Sequence, residues 1–288
     1  MSRATLGRGL ALCLVAMAPL ALGAEPAEQR WVAVGPAITE TVIALGQGAR
    51  LVGVDDTSMA VPGAASARRV GYQRALSAEG LLSLRPTKVV ATEEAGPPAV
   101  LEQLRGAGVD VVIVPNTPTV EAARRRIREV ARLLGRVEQG EALVTAMNRE
   151  LEQAATRSKS AAPRPRVLAL YARGAGNWMV AGAGTAADQL IQLAGGVNTV
   201  AAWTGTRPLT QEAVIEAAPD FILLPEGSLP LAGGVEGLSR VPGLALVKGW
   251  RVVTVEDVHF MGLGPRLGTA VNQLGERLHA PAPARRAP

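Results

Sequence analysis

The sequence predicts two α/β lobes with parallel sheets joined by one long α-helix, and three observations carry that expectation. Short β-rich runs alternate with helical patterns along most of the 288 residues, which implies layered strands and helices. Two pairs of matching segments recur in the two halves, the mark of an internal repeat. Between the halves runs a proline-free stretch, Thr119 to Ala162, whose later part places Leu143, Met147, Leu151 and Ala154 at helical spacing, as one long amphipathic helix would.

The chain opens on Arg3 and Arg8, then an apolar run from Gly9 to Leu22 and the small residues Gly23 and Ala24. That order of charge, apolar stretch and small residues reads as a secretory signal peptide, residues 1–24. The run is shorter than the roughly 20 residues a membrane span needs. Cys13, the one cysteine, falls inside it, so the exported protein is expected to lack thiols, disulfides and cysteine metal sites. Leu12 precedes Cys13, where a lipoprotein signal would carry a small residue. The expected compartment is the periplasm.

From residue 25 to 136 the strand-like runs are WVAVG (31–35), LVGV (51–54), KVVA (88–91) and DVVIV (110–114), which make a first lobe. Residues 137–160 form the connecting helix. A second lobe, 161–279, carries RVLALY (166–171), FILL (221–224) and RVVTV (251–255). Leu76-Ser77-Ala78-Glu79 and Leu209-Thr210-Gln211-Glu212 each open a helical stretch that ends at a proline before a strand, at an offset of 133 residues. Glu40 to Gly46 and Asp188 to Ala194 match at an offset of 148. The tail 280–288, APAPARRAP, offers nothing for a core and is expected to be disordered.

Composition narrows the function. Arginines outnumber lysines 27 to three while acidic residues total 25, so the high isoelectric point does not mark a nucleic-acid surface. Arg124, Arg125, Arg126 and Arg128 lie in a helical pattern and read as a solvated face. His259 and His279 are the only histidines, too few for a multi-histidine metal site. His259 follows strand RVVTV, where it lines a cleft or sits on a surface loop. Gly182-Ala183-Gly184-Thr185-Ala186-Ala187 fits G-x-G-x-x-A, but no acidic residue stands about 20 positions on, so it reads as a tight turn into a helix rather than a dinucleotide site. No G-x-S-x-G elbow occurs. Export without a catalytic constellation favours a binding protein over an enzyme.

The informative segment is Val70-Gly71-Tyr72-Gln73-Arg74-Ala75-Leu76-Ser77-Ala78-Glu79-Gly80. Tyr72, one of two tyrosines, stands in a loop on the side where open α/β sheets present ligands. Such a tyrosine packs or binds. If the loop is extended, Arg74 points the same way and favours the ionised phenol, a hard anionic ligand suited to ferric iron.

At this segment the sequence resembles the periplasmic haem-binding proteins of bacterial haem ABC importers, within the helical-backbone class that also binds vitamin B12 and ferric siderophores. The likeness rests on GPAITETVIALGQGARLVGVDDTS (35–58), VGYQRALSAEGLLSLRPT (70–87), AGAGTAADQLIQLAGGVN (181–198) and MGLGPR (261–266). It implies two Rossmann-like lobes joined by one long α-helix, the class III periplasmic binding protein architecture. It makes Tyr72 the axial ligand of ferric haem b, carried as cargo, with Arg74 as hydrogen-bonding partner. Met59, Arg173, Trp178 and Met179 would contact the porphyrin, and Arg173 or Arg266 would hold the propionates. Some members supply a second axial histidine where this chain has Tyr171-Ala172-Arg173, so five-coordinate haem is expected.

Glu79 and Glu212 fall where the family meets arginines of its membrane permease. The partners implied are haem, an inner-membrane ABC permease with its ATPase and, further out, an outer-membrane haem receptor system. No nucleic acid is expected, and the protein is expected to be monomeric. The alternatives are a corrinoid or ferric-siderophore carrier and, remotely, a periplasmic redox enzyme. A continuous connecting helix resists hinge rotation, so lobe motion is expected to be small.

Overall fold

Unbroken runs of Val, Ile, Leu and Ala make the central strands, because a strand covered on both faces has no need of polar alternation. The computed structural model describes residues 29–159, 163–174 and 176–281. The signal segment with Cys13, and positions 282–288 of the tail, lie outside the described residues.

The first lobe holds β1 (Trp31–Val34), α1 (Pro36–Ala44), β2 (Leu51–Val54), β3 (Arg68–Arg69), α2 (Ala78–Leu82), β4 (Lys88–Thr92), α3 (Pro98–Gly106), β5 (Asp110–Val114) and α4 (Val120–Leu133). Its sheet is parallel throughout, in the order β3-β2-β1-β4-β5. Alternate residues of a strand point to opposite faces. Accordingly Trp31 and Ala33 join one apolar cluster with α1 and α4, and Val32 and Val34 join another with α2 and α3.

After α5 (Val137–Lys159), the second lobe continues with β6 (Arg166–Ala172), β7 (Trp178–Ala181), α6 (Ala186–Leu193), β8 (Val197–Asn198), β9 (Thr206–Pro208), α7 (Gln211–Ala217), β10 (Phe221–Pro225), α8 (Ser228–Leu231), α9 (Gly234–Gly237), β11 (Arg251–Val255), α10 (Asp257–Met261) and α11 (Leu267–Leu278). The sheet runs β11-β10-β6-β7-β9, with β8 also on β6. It is not wholly parallel. The strands β6, β7 and β9 pair antiparallel, because β7 begins at Trp178, only a few residues after β6 ends at Ala172, and runs back beside it as a hairpin.

That hairpin explains the two repeat offsets. It inserts chain between β6 and α6 that has no counterpart between β1 and α1, which pushes α6 to the larger offset. The link from β2 to α2 takes 23 residues and that from β8 to α7 only 12. The shift therefore falls back, and both α2/α7 and β4/β10 begin 133 positions apart.

The proline-free stretch forms two helices instead of one. α4 ends at Leu133 with Leu134 as its C-cap, Gly135 takes a left-handed φ of +67°, and α5 starts at Val137. Val144, Met147 and Ala154 of α5 are buried with Ala123 and Ile127 of α4 and with Leu267, Val271 and Leu274 of α11. Each Val, Leu, Ile or Met among them contributes roughly 1.5–3 kcal/mol when fully buried. The connecting helix is thus sealed against the second lobe over much of its length. Among the described residues no helix is long and apolar enough to cross a membrane.

Candidate functional site

Parallel sheets leave the carboxyl ends of their strands open to ligands, and in this fold those ends meet from both lobes. One chamber of about 280 Å³ is lined by Asp56, Thr57 and Ala60 beyond β2, by Tyr171 and Ala172 at the end of β6, by Pro225, Gly227 and Ser228 beyond β10, and by Asp257 and Met261 of α10. A second chamber, also about 280 Å³, is lined by Arg74, Glu94 and Asn116 of the first lobe and by Thr185, Thr206 and Gly262 of the second. Met261 lines both. The first chamber is mostly apolar, and the second is rich in polar groups.

The first-lobe wall is set by Asp55, which is fully buried. Its carboxylate accepts from the backbone N–H of Gly35 at 2.8 Å and of Thr57 at 3.0 Å, and from the hydroxyls of Thr57 and Ser58. This caps the single turn that presents Asp56 and Thr57. Asp56 in turn accepts two hydrogen bonds from Arg69, at 2.5 and 2.9 Å, and the guanidinium holds its carboxyl below the usual carboxylate range.

The Tyr72 loop is tied to this wall. Asp56 donates its N–H to the Gly71 carbonyl at 2.9 Å, and Gly71 has a φ of +96°, a conformation that favours glycine. Residues 72–75 then form a turn closed by Ala75 N–H to Tyr72 C=O at 2.8 Å. The loop is therefore not extended, and the geometric premise for pairing Tyr72 with Arg74 does not hold. Tyr72 is 41% exposed, Arg74 lines the second chamber, and neither side chain hydrogen-bonds to a described residue. The turn sets Arg74 on the wall of the second chamber, while Tyr72 is exposed next to the Asp56 turn and lines neither chamber.

The other sequence-predicted residues separate. Met59 is exposed beside the capped turn. Arg173 is exposed at the tip of the hairpin between β6 and β7. Trp178 and Met179 are buried in β7, and Trp178 packs in the second lobe's core with Leu168, Leu170 and Val180, so Trp178 is a core residue and lines neither chamber. Arg266 donates Nε to Glu40 at 2.5 Å and both Nη atoms to Glu256 at 2.9 and 2.8 Å. Those carboxylates raise its pKa further above the arginine range and occupy the face that was expected to hold a propionate.

Two further expectations are corrected. Arg126 belongs to no solvated face: it is 2% exposed and donates to the carbonyls of Pro115 at 2.8 Å and Leu263 at 2.6 Å. Burial pushes its pKa down to about 10. His259 is on neither a loop nor the cleft wall; it is buried in α10, with Nε2 3.8 Å from Glu40 and no hydrogen-bond partner. Sequence reasoning did not single out Asp257 and Met261, nor Tyr171 as a wall residue, although each closely follows or ends a recognisable strand, the place where α/β sheets expose ligand contacts.

Glu79 and Glu212 are both exposed in the first turn of a short helix, α2 and α7. Ser77 caps the first and Thr210 the second, each side-chain oxygen accepting an N–H three residues on.

A sequence model described as periplasmic binding protein matches residues 32–250. Among solved structures, the periplasmic heme-binding protein RhuT from Roseiflexus sp. RS-1 in apo form superposes with a TM-score of 0.82 at 39% identity, covering 87% of this chain and 98% of that one. A periplasmic heme-binding protein from Pseudomonas aeruginosa gives a TM-score of 0.76 at 32% identity, covering 88% and 94%. A vitamin B12-binding protein of Pectobacterium atrosepticum is 27% identical over 275 residues, 94% of this chain and 92% of that protein.

Proposed function

The chain belongs to the periplasmic binding protein family, and from that premise we propose that it captures ferric haem in the inter-lobe cleft and delivers it to an inner-membrane ABC importer. The observation that carries this reading is Tyr72: an exposed phenol on a loop anchored by backbone hydrogen bonds to the cleft wall, with no hydrogen-bond partner among the described residues. The 39% identity to a haem-binding structure, against 27% to a vitamin B12-binding protein, supports haem as the cargo.

In this reading the Tyr72 hydroxyl gives its proton to solvent and the phenolate binds the iron. Arg74, on the same turn, stabilises that anion through its charge. Met261 and Tyr171 cover the apolar face of the porphyrin, and Arg173 reaches a propionate by a charge-assisted hydrogen bond. Glu79 and Glu212 meet cations on the permease, one on each lobe. The protein acts in the periplasm, as a monomer, and catalyses nothing.

Hemin titrated into the chain from residue 25 onward should give a stoichiometric high-spin ferric spectrum with a charge-transfer band, lost in Tyr72→Ala. Cyanocobalamin binding with no uptake of hemin would overturn the proposal in favour of a corrinoid carrier on the same fold.

A further inference from the structure

We propose that residues 256–266 form a second, non-covalent tether between the lobes, anchored on Glu40, which fixes the width of the cleft whatever ligand it holds. α5 is the covalent link, which resists hinge rotation but holds the lobes from one side only. The segment from β11 to α11 holds them from the other side. Within five residues of α10, Val258 enters the first lobe's apolar cluster and Phe260 enters the second lobe's.

Polar contacts follow the same division. Glu40, on α1, is 5% exposed and accepts from Arg266 at 2.5 Å, while the same guanidinium grips Glu256 with its other two nitrogens. One arginine thus joins a first-lobe carboxylate to the strand end that starts the segment. Arg126 of α4 donates to the Leu263 carbonyl at 2.6 Å. The fit leaves no slack at Gly264, where a Cβ would stand 1.8 Å from Glu40 Oε2. With Glu40 buried and Arg266 partly exposed, the pair adds little net stability but demands one geometry, since Glu40 without its partner is left charged and desolvated.

Met261 lies inside the tether and lines both chambers, so the cleft wall cannot move relative to the first lobe unless the Glu40 contact breaks. Glu40 is accordingly a positioning residue: it touches no chamber and acts through Arg266 and α10.

The test uses spin labels on Glu102→Cys in the first lobe and Glu236→Cys in the second, both exposed, in the chain from residue 25 onward, which carries no native cysteine. Pulsed distance measurement without ligand should give one narrow distribution. Glu40→Gln, and the Glu40→Gln/Arg266→Met pair that leaves no buried charge unpartnered, should broaden it while circular dichroism stays unchanged. Hemin should leave the variants roughly tenfold faster. Should Glu40 variants fail to fold, Arg266→Gln, at a side chain 34% exposed, removes the guanidinium that reaches Glu40 and should broaden the distribution too. Distributions as narrow as the parent's in every folded variant would overturn the proposal. The spin-label result does not depend on hemin binding, so its outcome and that of the haem reading remain separate.

Discussion

Glu79 and Glu212 occupy the same position on corresponding helices of the two lobes: each is the second residue after a hydroxyl N-cap, Ser77 in one case and Thr210 in the other. A carboxylate there favours its helix by about 0.3–1 kcal/mol, which accounts for one such residue but not for its repetition on two exposed surfaces. Reversing both, Glu79→Lys with Glu212→Lys, is expected to abolish uptake through the permease while hemin affinity stays within twofold. Transport in vesicles, beside a hemin titration, checks this; loss of both together would refute the docking role.

Arg126 is held where an arginine is costly, and its removal should show what it supports. Arg126→Met relieves the desolvated charge but leaves the carbonyls of Pro115 and Leu263 without their donors. Net destabilisation of about 2 kcal/mol is expected, since an unsatisfied buried acceptor costs about 1–3 kcal/mol. Urea unfolding measures it. Arg126→Lys should not rescue, because one ammonium cannot reproduce a planar fork reaching two carbonyls.

Much of this fold was legible in the sequence because its signals are local. Seven strand-like runs are strands, since Val- and Ile-rich stretches bounded by turns have few alternatives. The antiparallel β7 was not foreseen, because WMVA is short and its pairing is decided by the short hairpin before it. Arg126 and His259 misled for a related reason: neither helical periodicity, in the first case, nor a place after a strand, in the second, says whether a distant segment, here Leu263 or Glu40, covers the side chain. Arg74 lines the second chamber, as its position after a strand suggests, but the turn at 72–75, which leaves Tyr72 exposed, depends on the Gly71 and Gly96 backbone contacts with Asp56 and Gln73.

Acid should loosen the cleft before neutral pH has any effect. Hydrogen bonds from Arg266 and Arg69 hold Glu256 and Asp56 below their ordinary values of 4.5 and 3.8. A carboxyl whose folded pKa is depressed contributes its full stability above the unfolded value and loses it as pH falls through the folded one. These pairs therefore contribute constantly from pH 8 down to about 5 and progressively less below the unfolded values. Urea midpoints measured between pH 7 and pH 3 should fall less steeply for Glu256→Gln/Asp56→Asn than for the parent chain; parallel curves would assign the acid loss to other groups.

Trp178 and Tyr171 invert the expectation that the tryptophan meets the ligand. Trp178 is buried among Leu168, Leu170 and Val180, so Trp178→Ala opens a cavity and should cost about 3–5 kcal/mol with hemin affinity unchanged at temperatures where the fold persists. Tyr171 is only partly buried, lines the first chamber and meets the Phe260 ring edge-on at 5.9 Å. Tyr171→Ala should do the reverse: a smaller loss of stability, because its ring is partly solvated, and a hemin affinity at least tenfold weaker, because the ring is one of the few aromatic surfaces the cleft has. Urea unfolding and hemin titration on the two variants side by side decide it, and weaker binding in Trp178→Ala alone would return the tryptophan to the ligand.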